Sequence, residues 1–190
     1  MGATARMPGG DENSASCACM GPLRRLETIG KRRRARHGRS YNAPMLSLIQ
    51  RVSRAQVEVD GEIVGRIGPG LLALVGVEPG DGAGQVARMR ERLLGYRVFS
   101  DQAGRMNRSL ADTGGGLLLV SQFTLAADTA SGMRPGFSTA AAPAVAETIF
   151  GELVGECRQH HPSGVETGRF GAHMVVSLVN DGPVTFLLRA

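Results

Sequence analysis

From Leu46 onward the chain moves between two hydrophobic periods. Leu46, Leu48, Gln50 and Val52 hold one parity and Val57 and Val59 the other. That shift predicts an extended segment over 46–59 with a bulge near Ser53-Arg54-Ala55. Asp60-Gly61 reads as a hairpin turn into a second strand, Glu62–Ile67. Gly68-Pro69-Gly70 breaks the chain before Leu71–Val77, a continuous apolar run with the pattern of a central strand. Residues 82–96 switch to helical spacing, with Val86, Met89, Leu93 and Tyr96 on one side. Arg88, Arg90, Glu91 and Arg92 fall largely on the other.

Arg97-Val98-Phe99 predicts a short strand, Asp101–Gly104 a turn and Gly114–Gly116 a corner. Leu117–Val120 is a second buried strand that runs into Ser121-Gln122-Phe123-Thr124-Leu125. After a polar loop, a helix over about 143–159 places Val145, Ile149, Leu153 and Cys157 on one face. Val165–Phe170, Met174–Val179 and Val184–Leu188 complete the strands, and Asn180-Asp181-Gly182-Pro183 reads as a hairpin turn between the last two. Pro183 is odd there, since it gives up a backbone donor where a strand begins. The expected architecture is α/β, a single domain of mixed, largely antiparallel sheets with two long helices.

Charge divides the chain. The net charge is +5, yet nine Lys/Arg and only three Asp/Glu fall within residues 1–44, which carry +6, so residues 45–190 are close to neutral. Residues 1–44 lack hydrophobic periodicity and end in Lys31-Arg32-Arg33-Arg34-Ala35-Arg36-His37-Gly38-Arg39. This is the pattern of a basic, disordered N-terminal extension ahead of a domain over 45–190. A targeting segment or an RNA-attracting arm are the other readings, and Asp11, Glu12 and Glu27 count against a mitochondrial presequence. Met45 could also have served as an ancestral start.

No apolar run approaches the length of a membrane span. Cys17, Cys19 and Cys157 do not make a disulfide framework, and without a secretory signal the cytoplasm is the expected compartment. An aromatic content of 4% with no Trp argues against broad stacking platforms for nucleic acid.

Two polar loci stand out. Ser121-Gln122-Phe123-Thr124 ends a buried strand with polar side chains that must be satisfied or presented to a site. The Gly-x-Ser-x-Gly elbow of a serine hydrolase is absent, and no His is obviously placed as a base. His160-His161 follow a helix and are placed to cap its carbonyl end. No His-Glu-x-x-His or comparable cluster suggests a metal, and no nucleotide fingerprint suggests a cofactor; none of either is expected. Cys157 is in phase with Leu153 and Ile149, the position of a small core residue. Residue types alone leave the function open.

The ordered segments do more. Gln50-Arg51-Val52, Gly70-Leu71-Leu72, Arg105-Met106-Asn107, Val120-Ser121-Gln122-Phe123-Thr124-Leu125, Gly168-Arg169-Phe170-Gly171-Ala172 and Asn180-Asp181-Gly182-Pro183-Val184-Thr185 resemble the D-aminoacyl-tRNA deacylase family. The resemblance covers nearly all of 45–190 and none of 1–44. It implies hydrolysis of the ester between a D-amino acid and the 3′ adenosine of tRNA. It further implies a homodimer in which a cis Gly182-Pro183 reaches into the partner's site and leaves no room for an L side chain. Glycyl-tRNA would escape that exclusion.

By the same resemblance, Ser121, Gln122, Phe123 and Thr124 form the catalytic segment. The Phe123 and Thr124 amides lie beside the scissile carbonyl, and the tRNA 2′-hydroxyl assists water. Arg51 supports the Gly-Pro loop, while Phe170, Gly171 and Met174 line the adenosine pocket. His173 departs from the family's usual Asp. Two other functions stay open: an esterase that uses Thr124 as nucleophile, and a non-catalytic RNA- or protein-binding module. A near-neutral body is unusual for a tRNA binder. Either recognition is confined to the 3′ end, or the Arg-rich extension contacts RNA.

Overall fold

The computed structural model describes residues 45–130 and 132–190. The extension, with Cys17, Cys19 and the Arg-rich stretch, lies outside the described residues.

Strand β1, Leu46–Val59, organises the sheet. Its second half turns through Asp60 and Gly61, at φ 52° and 82°, into β2, Glu62–Ile67. Positive φ at both central residues lets the turn follow the twist of its strands. Its first half pairs antiparallel with β3, Gly70–Gly76, from Leu46↔Gly76 to Val52↔Gly70. Helix α1, Ala83–Gly95, follows, then a two-stranded ribbon of β4, Phe99–Ser100, and β5, Met106–Arg108. After a short α2, Leu110–Thr113, comes β6, Gly116–Ser121, parallel to β3. A 3-10 turn, Phe123–Ala126, leads on to α3, Pro143–His160, and β7, Val165–Thr167, which is parallel to β6. Strand β8, Val175–Arg189, closes the chain against β1. The sheet order is β2-β1-β3-β6-β7, with β8 on β1.

The two apolar runs lie at the centre because both faces of their sheet are covered. Leu71, Ala73, Val75, Leu117 and Leu119 pack with Met89 and Leu93 of α1 and Leu153 and Cys157 of α3. Leu72, Leu118 and Val120 point the other way, against Val52, Ala55, Val57 and Ile67. Cutting any of the fully buried leucines to alanine costs roughly 2–5 kcal/mol. Glycine is required where β3 meets β6, since a Cβ on Gly70 would lie 1.9 Å from the Gly116 carbonyl oxygen.

Several expectations need correction. The Asn180–Pro183 hairpin does not form. Val175–Asn180 pairs with β1 at Val52–Glu58, and Thr185–Arg189 pairs with β1 at Leu46–Gln50. Both arms thus hydrogen-bond to the same neighbour instead of to each other. Asp181, Gly182, Pro183 and Val184 form a protrusion opposite the single residue Arg51. The turn residues bend the chain without reversing it, because a long β1 offers partners to both arms.

On α3, Ala146, Ile149, Phe150, Leu153, Val154 and Cys157 are buried whereas Val145 is exposed, so the buried stripe is rotated from the predicted one. His160 does bond the Glu156 carbonyl of the last turn, at 2.8 Å. His161 instead turns inward to the Gly115 carbonyl at 2.7 Å. The bulge in β1 appears as the pairing shift between Val52 and Arg54 against β8.

Candidate active site

Parallel β3 and β6 end together, with Val75 opposite Ser121, and loops take over at their carboxyl ends. Sites gather at such edges because the backbone leaves the ladder with polar groups still to satisfy. The Gln122 amide donates to the Val75 carbonyl at 2.7 Å, which fixes the start of the 3-10 turn. The first amides of such a turn, at Phe123 and Thr124, have no acceptor within it. The Gln122 side-chain amide donates to the Thr124 hydroxyl.

Beside this turn lies a pocket of about 450 Å³, within the range that holds small ligands. Ser121, Gln122 and Phe123 form one wall, and Phe170, Gly171, His173 and Met174, from the β7–β8 connection, form another. The N-terminal half of α3 supplies Pro143, Ala146 and Phe150. Phe150 and Phe170 are tilted at 42° with centroids 6.2 Å apart, an aromatic wall suited to a flat ring. Phe123 is 59% exposed and lies against Phe137 at 5.1 Å. The structure therefore gathers six of the anticipated residues: Ser121, Gln122, Phe123, Phe170, Gly171 and Met174. Thr124 is adjacent in chain but is not part of the lining.

Sequence reasoning missed the α3 contribution. Pro143 is favoured at a first helical position and does start α3. The small residues Ala141, Ala142, Ala144 and Ala146 around it are the signal that space was being left.

Arg51, Gly182 and Pro183 form a second locus. The Arg51 Nη1 donates to the Val98 carbonyl at 2.7 Å, and its Nε donates to the Asp181 carbonyl at 3.1 Å. The same Nε lies 3.1 Å from the Asp181 carboxylate. Asn180 Oδ1 accepts from the Val184 amide at 3.0 Å, bridging the base of the protrusion. Gly182 has φ +129°, and a Cβ there would lie 2.7 Å from a Val184 methyl and 3.0 Å from Arg51 Nη2. Only glycine accepts that backbone without displacement. The Gly182–Pro183 peptide bond is cis, and both residues are exposed. Neither lines the pocket of its own chain.

Cys157 is fully buried on α3, and burial pushes its thiol up to about 12. It is a core residue without nucleophilic character at neutral pH.

Residues 48–189 match the family model described as D-Tyr-tRNA(Tyr) deacylase. The chain belongs to that family. The D-Tyr-tRNA(Tyr) deacylase family match spans every element from β1 to β8. The chain is 76% identical over 145 residues to the D-aminoacyl-tRNA deacylase of Xanthomonas campestris pv. campestris (strain 8004), covering 76% of this chain and 99% of that protein. Against the D-aminoacyl-tRNA deacylase of Stenotrophomonas maltophilia (strain R551-3) it is 75% identical with the same coverage. Among solved structures, one titled "c-Myc DNA Unwinding Element Binding Protein" matches with TM-score 0.73 and 35% identity, over 76% of this chain and 98% of that one. Another, titled "Structural Analysis of a probable eukaryotic D-amino acid tRNA deacylase", matches with TM-score 0.69 at 16% identity, over 77% and 99%, and shares the fold.

Proposed function

We propose that this chain removes D-amino acids from tRNA as a homodimer, with Gly182-Pro183 of each protomer closing the pocket of the other. Ester hydrolysis of D-aminoacyl-tRNA is the activity of its family, and the chain is a hydrolase acting on ester bonds. The observation that carries the finer reading is the separation of the two loci. Arg51 holds the neighbouring Asp181, yet Gly182 and Pro183 take no part in the lining of their own chain's pocket. A second copy gives them something to close. Val175, Val179, Phe186 and Leu187 of β8 are all exposed, apolar surface of the kind that a second copy would cover.

In this reading Phe170, Gly171 and Met174 hold the terminal adenosine, beside the aromatic wall. Water attacks the ester carbonyl, the bond to the ribose oxygen breaks, and that oxygen takes the proton. The ribose 2′-hydroxyl helps to activate the water, and the Phe123 and Thr124 amides stabilise the oxyanion. The hydrogen bond at Thr124 favours this over a threonine nucleophile, since its partner is an amide donor and no base. Gly182 and Pro183 bind the substrate ammonium through their carbonyls and exclude an L side chain by occupying its volume. Glycyl-tRNA passes the same filter.

The pocket's size favours recognition confined to the 3′ end, which a near-neutral body permits. The Arg-rich extension contributes to RNA binding only if removal of residues 1–44 weakens affinity and flattens its salt dependence. Turnover of D- and L-tyrosyl-tRNA tests the central reading. Fast hydrolysis of the D form alone is expected. Equal rates sink chiral exclusion, and binding without hydrolysis of either would make this a binding module.

A further inference from the structure

Where β1 begins, beyond the Leu46↔Gly76 pair, Met45 comes level with Val77, and two carboxylates follow in the next loop. Glu78 and Asp81 lie in the loop between β3 and α1, bound to each other's backbones: the Glu78 amide donates to Asp81 Oδ2 at 2.8 Å, and the Asp81 amide to the Glu78 carbonyl at 3.2 Å. Glu78 is only 8% exposed, and Asp81 Oδ1 is buried with no hydrogen-bond partner among the described residues. A buried carboxylate oxygen left unsatisfied is costly, and cores rarely tolerate one. Met45 is fully buried alongside, with its carbonyl accepting from the Ala190 amide at 3.0 Å.

Burial pushes the Asp81 carboxyl above its ordinary value, opposed by the Glu78 amide it binds and by the Met45 amide nearby. Burial, and then the Asp81 charge, push Glu78 up as well, opposed by Arg189 of β8. Arg189 is itself engaged through its carbonyl by Arg92 of α1, at 2.7 Å. Among the described residues, Arg189 is the cation set against Glu78, while the Met45 nitrogen offers Asp81 only the single proton of a peptide.

We propose that the working chain begins at Met45, and that its α-ammonium is the group that Asp81 and Glu78 are built to hold. A free terminus there would present three donors and a full charge where the peptide presents one donor and none, and charge-assisted bonds are about twice as strong as neutral ones. The 145 residues that match the Xanthomonas protein are 99% of its length, so that relative has no counterpart of residues 1–44. Initiation at Met45 and cleavage after Pro44 leave the same terminus. The Arg-rich stretch then plays no part in binding tRNA. This inference does not depend on the proposed activity.

The signs of linkage separate the two chains. In a chain starting at Met45, the carboxylates raise the folded-state pKa of the α-ammonium above its unfolded value of about 8. The added stability is complete below that value and lost as pH rises through the folded pKa. In the 190-residue chain the raised carboxylates act alone, and their contribution is present only in acid, fading as pH rises through their folded pKa values.

The test compares purified 1–190, 45–190 and Nα-acetylated 45–190 by thermal unfolding from pH 5 to 10. Near pH 7 the 45–190 chain should melt about 3 °C higher than the other two, with the gap closing above pH 9. Asp81→Asn should abolish the gap by lowering 45–190 alone. Equal midpoints at all pH values, or an Asp81→Asn loss of equal size in all three, overturn the proposal. Intact mass of the folded product expressed with the gene's own upstream sequence should give a chain starting at Met45, and finding only the 190-residue form also overturns it. Met45→Leu then separates the routes, since it removes initiation but leaves cleavage.

Discussion

The turn at Ser121–Thr124 and the protrusion at Asp181–Val184 are both polar interruptions of apolar strands, and they are held in opposite ways. The turn inherits its position from the most buried part of the molecule, the parallel β3–β6 pair, through a single backbone bond from Gln122 to Val75. The protrusion stands on an edge strand and is held by two side chains, Arg51, which ties it to the Val98 carbonyl, and Asn180, which bridges its base. Chemistry carried by backbone groups of a core strand tolerates side-chain change. The exposed protrusion, to which the proposed function assigns selectivity, does not, because few contacts define it.

Substitutions can break that contrast in order of effect. Gly182→Ala should be the most damaging. The new Cβ meets Val184 and Arg51 at a φ that alanine rarely adopts, so the protrusion must move. Activity on D-tyrosyl-tRNA should fall by roughly 100-fold, about 2.7 kcal/mol in transition-state terms, with the D/L ratio falling as well. An unchanged ratio would detach the protrusion from selectivity.

Arg51→Ala comes next, with activity down about tenfold and stability reduced by roughly 1.5–3 kcal/mol through loss of charged hydrogen bonds, measured by kinetics and denaturant unfolding. Asp181→Asn should cost less than about 1 kcal/mol, because the Asp181 carboxylate is 58% exposed and its ion pair is screened. If Asp181→Asn matched Arg51→Ala, the ion pair and not the carbonyl contacts would hold the loop.

On the other locus, Thr124→Ala should stay within about threefold of the parent in single-turnover deacylation. A loss of a thousandfold would restore the hydroxyl as nucleophile. Smallest of all is the effect of thiol reagents. With the Cys157 thiol pushed up to about 12, almost no thiolate exists at pH 8, and alkylating agents should leave the folded chain unmodified and active by mass and by rate.

What could be read in advance follows the same division. Leu71–Val77 and Leu117–Val120 were legible as central strands because burial on both faces imposes an unbroken apolar run. Helices α1 and α3 were legible by period, although small residues at Ala144 and Ala146 blurred the phase of α3 and hid its part in the pocket. Asn180–Pro183 was misread because turn residues report local bending and not which neighbour each arm will choose. Only the length of β1, which pairs both arms, decides between a hairpin and a protrusion. The inward turn of His161 to Gly115 was hidden for a similar reason, since its partner lies far away in sequence.

The protrusion also bears on how such a scaffold can vary through descent. Pairing resumes at Thr185 opposite Gln50 as though the intervening residues were not there. Lengthening or shortening the stretch between Asn180 and Thr185 would alter its reach while every inward-facing residue of β8 kept its place. The protrusion is thereby freed from the constraint that governs the rest of the strand, where a slip of one residue turns the whole buried set outward.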